Sequence, residues 1–226
     1  WTDHVEKWKD CQACPLCNQR DRICLARGTV PADVCFIGEA PGAIEDHKGL
    51  PFVGPAGRLL DNPDEPNHPG IVQAAGLREL GLRLVFTNLV CCFPREAKAA
   101  GENEPARDEI LACQPRLIEF INIVQPRLIV CVGTLAAKHV DHNDTIKCVD
   151  ILHPAYILRK DVPLAKKESM AMQVTVIIRS AVDAMLGSPV RKFQRFGDAN
   201  ISRAETIRRD NERWLQQEYS DPELPF

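Results

Sequence analysis

Val34-Cys35-Phe36-Ile37 runs straight into Gly38-Glu39-Ala40-Pro41-Gly42, and seven residues later the chain reads Gly49-Leu50-Pro51-Phe52-Val53-Gly54-Pro55-Ala56-Gly57. The four apolar residues have the β-branched and aromatic character of a buried strand. Gly-Glu-x-Pro-Gly stops that strand abruptly and bares backbone N–H groups at its carboxyl end. In an open α/β sheet that end is where ligands bind. Glu39 is the polar residue placed there, and the loop at Phe52 can hold a flat ring.

Three more apolar runs read as strands, giving a set at 33–38, 83–90, 127–133 and 146–152. Helical stretches separate them, as in a parallel sheet covered on both faces. The expected fold is therefore α/β: a three-layer α/β/α sandwich with a central four-stranded parallel sheet. After the third strand Gly133 leads into Thr134-Leu135-Ala136-Ala137-Lys138, with Thr134 suited to cap that helix. Val174, Ile177, Ile178, Ala181, Val182 and Met185 form a helical stripe within 170–186 that reads as core packing. Residues 62–69 carry three prolines and cannot be helix, so they form an acidic surface loop. Ser202-Arg203-Ala204-Glu205 is a capping-box pattern opening a charged helix to about Gln217. The expected division is a domain at 1–187, including an N-terminal arm, and a charged helical extension at 188–226.

A net charge of −3 argues against a protein that coats nucleic acid non-specifically, yet it allows a local basic patch. Between Pro154 and Lys192 seven Lys/Arg face three acidic residues. A solvated surface is the plain reading of such a run. No unbroken apolar run approaches the ~20 residues of a membrane span, and no basic-then-apolar leader is present, so a cytoplasmic location without membrane contact is expected.

The chain has 10 cysteines, many for a protein with no export signal, and metal ligation is a better general explanation than a disulfide framework. Cys11-x-x-Cys14 is a tight pair on an N-terminal loop, with Cys17 and Cys24 nearby. Cys91 and Cys92 end the second strand, and Cys113 is expected at the start of the next helix, with Pro115 in its first turn. A Cys-x-x-Cys with two distant thiolates satisfies either a tetrahedral zinc or a cubane iron–sulfur cluster, and spacing does not choose between them. Cys35, Cys131 and Cys148 fall inside strands and read as core.

These residues together resemble a known family. Cys11-x-x-Cys14, Gly-Glu-Ala-Pro-Gly at 38–42, Glu45-Asp46, the 49–57 motif, Thr87-Asn88-Leu89-Val90-Cys91-Cys92 and His153-Pro154-Ala155-Tyr156-Ile157-Leu158-Arg159 resemble the uracil-DNA glycosylase superfamily, closest to its type 4, iron–sulfur branch. The resemblance covers roughly residues 11 to 186. It implies a [4Fe–4S] cluster held by Cys11, Cys14, Cys92 and Cys113, with Cys91 a rival for Cys92, and it favours iron–sulfur over zinc.

It also implies a DNA repair hydrolase that flips uracil from DNA, breaks its N-glycosidic bond and leaves an abasic site. Asn88 can both donate to and accept from the uracil O4 and N3 edge, which rejects cytosine by leaving polar groups unpaired. Phe52 stacks on the ring, and His153 donates to O2 as negative charge develops there. Backbone groups of Gly38, Glu39 and Ala40 line the pocket floor. Glu39 or Glu45 orients water or favours the cationic sugar, and Glu45 can also block a thymine methyl group. Ala40 stands where better-known relatives keep an Asp for the water. Leu158 or Arg159 can fill the space left by the flipped base, while Arg159 and Lys160 can contact phosphates.

Two segments depart from the family pattern: the proline-rich loop 62–69 and the polar loop that follows Phe93-Pro94-Arg95-Glu96. No His occurs between Phe93 and Ala112, so no residue is present for covalent trapping of the sugar. The tail Pro222-Glu223-Leu224-Pro225-Phe226 faintly resembles sliding-clamp-binding tails, and the expected molecule is otherwise a monomer acting on uracil-containing DNA. Two other functions fit the residues. One is a DNA-binding relative that keeps fold and cluster but has weak or no catalysis; the other is a zinc-stabilised nucleotide hydrolase on a similar sheet.

Overall fold

The computed structural model describes residues 1–95, 104–140 and 146–188. Among the described residues one sheet is built from β1 (Arg27–Gly28), β2 (Val34–Gly38), β3 (Leu84–Asn88), β4 (Leu128–Val132) and β5 (Lys147–Ile151), in the order β1-β3-β2-β4-β5. The four expected strands are there and run parallel, with register Phe36↔Phe86, Phe36↔Val130 and Val130↔Val149. The fifth, β1, pairs antiparallel with the edge of β3 through two residues only. Arg27 and Gly28 are too short a run to leave a period-2 signature, which is why the sequence does not announce them.

The helices are α1 (Thr2–Trp8), α2 (Ala43–Lys48), α3 (Pro55–Leu60), α4 (Ile71–Ala74), α5 (Arg107–Val124), α6 (Thr134–His139), α7 (Pro154–Ile157) and α8 (Leu164–Leu186). Alternation along the strands divides them between two faces. Val34, Phe36, Leu84, Phe86, Leu128 and Val130 share a core with α3, α4, α7 and α8. Cys35, Ile37, Val85, Ile129 and Cys131 point the other way, where α5 contributes buried Leu117, Phe120, Ile121 and Val124. That is the expected three-layer sandwich. β2, β3 and β4 are buried along their whole length, as central parallel strands covered on both faces require, while the edge strand β5 is buried only at Ile151.

Several local expectations need correction. The helix before β4 begins at Arg107, where Glu109 accepts the Ala106 backbone N–H at 2.5 Å, so Cys113 and Pro115 lie inside the helix and not at its start. Pro115 removes one helical hydrogen bond there. The helix continues because Ile110, Leu117, Phe120, Ile121 and Val124 bury one continuous stripe. Gly133 is the residue before α6, and Thr134 is its first helical residue, with no side-chain cap. Ile177, placed in the core by the stripe on α8, is exposed, whereas Val174, Ile178, Val182 and Met185 are buried. By length and composition α8 is apolar enough to cross a membrane, but those four residues pack it onto the sheet core. Residues 62–69 are loop and mostly exposed, as the prolines demand. The helix expected at 202–217 and the clamp-like tail lie outside the described residues, as does most of the loop after Arg95.

Candidate active site

The chain turns from β2 to β3 on one side and to β4 on the other, so the carboxyl end of β2 borders a topological switch point. Such a crevice is the binding position of an open parallel sheet. All four parallel strands end there on a residue that shapes the site: Gly38 on β2, Asn88 on β3, Gly133 after β4 and His153 after β5.

Gly38, Asn88 and Phe52 converge. A Cβ on Gly38 would stand 2.5 Å from Phe52 Cζ and closer still to Asn88 Oδ1, so only glycine lets amide and ring approach each other. Asn88 is 2% exposed, and among the described residues no hydrogen bond holds its side-chain amide. Buried amides are normally satisfied. Here both donor and acceptor are free for a ligand. Phe52 lies in the left-handed region at φ 58 and its ring meets Phe86, centroid to centroid, at 5.9 Å.

His153 precedes α7 and accepts the Ala155 backbone N–H at its own Nδ1, at 3.2 Å. A nitrogen that accepts carries no proton, so the neutral ring bears its hydrogen on Nε2. Burial holds the His153 pKa below the ordinary value, against an opposing pull from the Glu45 carboxylate. The ring packs against Gly133, whose missing side chain leaves room for it.

Glu45 and Glu39 differ in setting. Glu45 Oε1 accepts the backbone N–H groups of Val53, at 3.1 Å, and Gly54, at 2.7 Å, so it fastens the Phe52 loop to α2 while its charge reaches His153. Glu39 and Ala40 are half-buried, and the Glu39 carbonyl accepts from Val90 N at 3.2 Å. Gly38 likewise accepts from Leu89 N at 2.9 Å, which ties the floor after β2 to the turn after β3. Leu158, Arg159 and Lys160 lie together on the exposed turn after α7, with Leu158 40% exposed. Arg159 Nε donates to Asp161 at 3.2 Å, and its guanidinium lies over the Tyr156 ring.

Behind this site is a partly open cavity lined by Cys11, Cys14, Cys17, Cys91, Cys92 and Cys113. All four expected ligands are among them. No three His, Cys, Asp or Glu among the described residues converge tightly enough to share a single metal ion. Four thiols around one cavity are the donor number that a [4Fe–4S] cluster or a tetrahedral zinc takes. Arg20 donates to Cys92 Sγ at 3.1 Å, the hydrogen bond a ligating sulfur would receive. The Cys91 thiol lies 3.8 Å from the Leu25 carbonyl and is also hydrogen-bonded to Cys113, so it too borders the cavity. The donor set and the cavity therefore fit an iron–sulfur cluster.

Arg116 is a residue that reading the sequence missed. It is fully buried on α5, and its Nη2 donates to the carbonyls of Asn88, at 2.6 Å, and Leu89, at 2.9 Å. Its Nη1 reaches Thr87 Oγ1 at 3.0 Å, and its Nη2 also lies 3.8 Å from Cys113 Sγ. One guanidinium thus joins the cysteine cavity to the strand end that carries Asn88. Its only signal in the sequence is a position three residues after Cys113, one helical turn on.

The family model described as the uracil DNA glycosylase superfamily matches residues 26–173. A type-4 uracil-DNA glycosylase of Pyrobaculum aerophilum is 38% identical over 133 residues, 58% of this chain and 59% of its own. One from Sulfurisphaera tokodaii is 35% identical over 142 residues, 61% of this chain and 58% of its own. One from Thermotoga maritima is 31% identical over 173 residues, 68% of this chain and 81% of its own. The chain thus spans about three fifths of the length of the first two relatives and four fifths of the third.

Proposed function

The chain belongs to the uracil DNA glycosylase superfamily, and from that membership we propose that it excises uracil from DNA by hydrolysing the N-glycosidic bond. The observation that carries the proposal is the convergence of Gly38, Phe52 and Asn88, with the buried Asn88 amide free, beside a histidine whose proton sits on Nε2. A pyrimidine turned out of the helix has one flat face for Phe52 and one polar edge for Asn88.

Uracil presents an acceptor at O4 and a donor at N3, which the Asn88 amide matches with one donor and one acceptor. Cytosine presents the reverse pattern and would leave the buried amide unpaired. As the C1′–N1 bond breaks, its electron pair passes into the uracil ring and negative charge gathers on O2. The His153 Nε2–H donates to that oxygen, which stabilises the leaving anion. A neutral ring serves this purpose without a prior protonation step, in keeping with the lowered pKa. The oxocarbenium sugar is captured by water, whose hydroxyl bonds to C1′ and whose released proton neutralises the uracil anion, leaving an abasic site. Of the two candidate acids, Glu45 is assigned to favour the cationic sugar, because its charge already reaches His153. Glu39 is assigned to the floor with Gly38 and Ala40. Leu158 fills the gap left by the base, and Arg159 and Lys160 contact phosphates.

Cys11, Cys14, Cys92 and Cys113 would hold the [4Fe–4S] cluster. Held by these residues, it would be structural and would tie the N-terminal arm to the turn after β3 and to α5. Residues 1–187 are assigned to the catalytic domain and 188–226 to an extension, with the chain acting as a cytoplasmic monomer on DNA.

Uracil-containing single- and double-stranded oligonucleotides incubated with the protein and then treated with alkali test this directly. Strand breaks at uracil and not at cytosine or thymine are expected. Binding without breaks would make the chain a DNA-binding relative without catalysis.

A further inference from the structure

Phe52 holds a backbone conformation, φ 58, that a bulky L-residue adopts only when its surroundings impose it. What imposes it is visible. From below, Gly57 packs so closely that any Cβ would overlap the Phe52 backbone. From one side Glu45 takes the N–H groups of Val53 and Gly54. From the other side Arg27 takes the carbonyls: its Nε donates to Pro51 O at 2.8 Å and its Nη2 to Phe52 O at 3.1 Å.

Arg27 is itself fixed. Its Nη1 donates to Asp61 Oδ2 at 2.8 Å, and its guanidinium lies 4.0 Å from the centroid of Phe86, the ring against which Phe52 rests. Asp61 is buried and also accepts from Gln73, at 2.8 Å, and from Arg78, at 2.9 Å. Burial alone would raise the Asp61 pKa, but the hydrogen bonds from Arg27 and Arg78 outweigh it and keep the carboxylate charged. β1, the two-residue strand that carries Arg27, therefore joins the sheet where it can reach the Phe52 loop.

We propose that Arg27, held by Asp61, is a positioning residue for base recognition, which fixes the Phe52 ring as the stacking wall of the pocket. This rests on the reading of Phe52 as the wall on which uracil stacks. The guanidinium fork supplies one donor to each of three acceptors while its face packs on Phe86, and a lysine ammonium cannot do both. Loss of Arg27 leaves the other pocket groups in place and lets the Phe52 backbone relax out of the left-handed region.

The test measures inhibition by free uracil, which reads the base pocket alone, and binding of duplex DNA carrying a tetrahydrofuran abasic analogue, which has no base to stack. Arg27→Lys and Arg27→Gln are expected to raise the uracil inhibition constant about tenfold and to raise KM more than they lower kcat, with abasic-DNA affinity kept within about twofold. Arg78→Ala removes the other arginine on Asp61 without touching the Phe52 loop. It is expected to lower the thermal midpoint and leave uracil inhibition unchanged. Unchanged uracil inhibition in both Arg27 variants, or an equal rise in Arg78→Ala, overturns the assignment. Phe52→Ala separates this from the underlying reading. If it too leaves uracil inhibition unchanged, the stacking pocket itself is wrong; if it weakens uracil and the Arg27 variants do not, only Arg27 is.

Discussion

Asn88 and His153 reach the site by different physics. Asn88 is carried there by the register of β3, which sets its side chain on the same face as Gly38 and Phe36. His153 is set by a cap, because the Ala155 N–H fixes both the ring orientation and the tautomer. Replacing either by Ala is expected to cut turnover by ~10²–10³, the usual loss for one donor aimed at developing charge. Single-turnover assays on a uracil oligonucleotide, with iron content unchanged, measure it. The tautomer adds a pH signature. Protonation of Nδ1 would set two N–H groups against each other at the cap, so activity is expected to fall on the acid side with a midpoint below 6.5, the ordinary histidine value. The same titration opposes folding, since a buried neutral histidine takes up its proton more readily once unfolded. In His153→Gln that acid limb should vanish, and its persistence would move the titration to another group. Gly38→Ala probes the pocket from its floor: the added methyl falls on Asn88 Oδ1 and Phe52 Cζ, and uracil excision should be lost with little change in DNA affinity.

At the scale of elements, the N-terminal arm is tied down twice. Cys11 and Cys14 face the cavity shared with Cys92 and Cys113, while α1 docks on α5 through Glu119, which accepts from His4 at 2.7 Å, from Trp8 at 3.1 Å and from Lys7. Cys92→Ser is therefore expected to release iron, seen as loss of visible absorbance, without unfolding the sheet. Cys91→Ser should keep it, because Cys92 is the proposed ligand. The reverse result would make Cys91 the ligand. The elements also show where local sequence signals fail. Pro115 reads as a helix opener but lies within α5, because the buried stripe from Ile110 to Val124 outweighs one lost hydrogen bond. Thr134 reads as a cap and is the first helical residue.

For the molecule as a whole, the sheet carries the pocket and the cysteine cavity stands behind it, with Arg116 touching both. Removal of iron is accordingly expected to make residues 11–24 the first site of limited proteolysis and to lower the thermal midpoint, while the β2–β5 core stays protected from hydrogen exchange. Simultaneous loss of core protection would mean that the cluster supports the entire fold. Much of this was legible beforehand. Apolar runs ending in glycine or asparagine, and Cys-x-x-Cys with two later cysteines, are local patterns, and hydrophobic periodicity translates them into strands, strand ends and thiol pairs. The sequence alone therefore determined the α/β alternation, the strand-end position of Gly38, Asn88 and His153, and the thiols available for a cluster. Arg27, Asp61 and Arg116 were beyond its reach. A buried charge is stabilised by partners distant in the chain, Asp61 34 residues from Arg27 and the Asn88 carbonyl 28 from Arg116, so its role exists only once the chain has folded and brought them together.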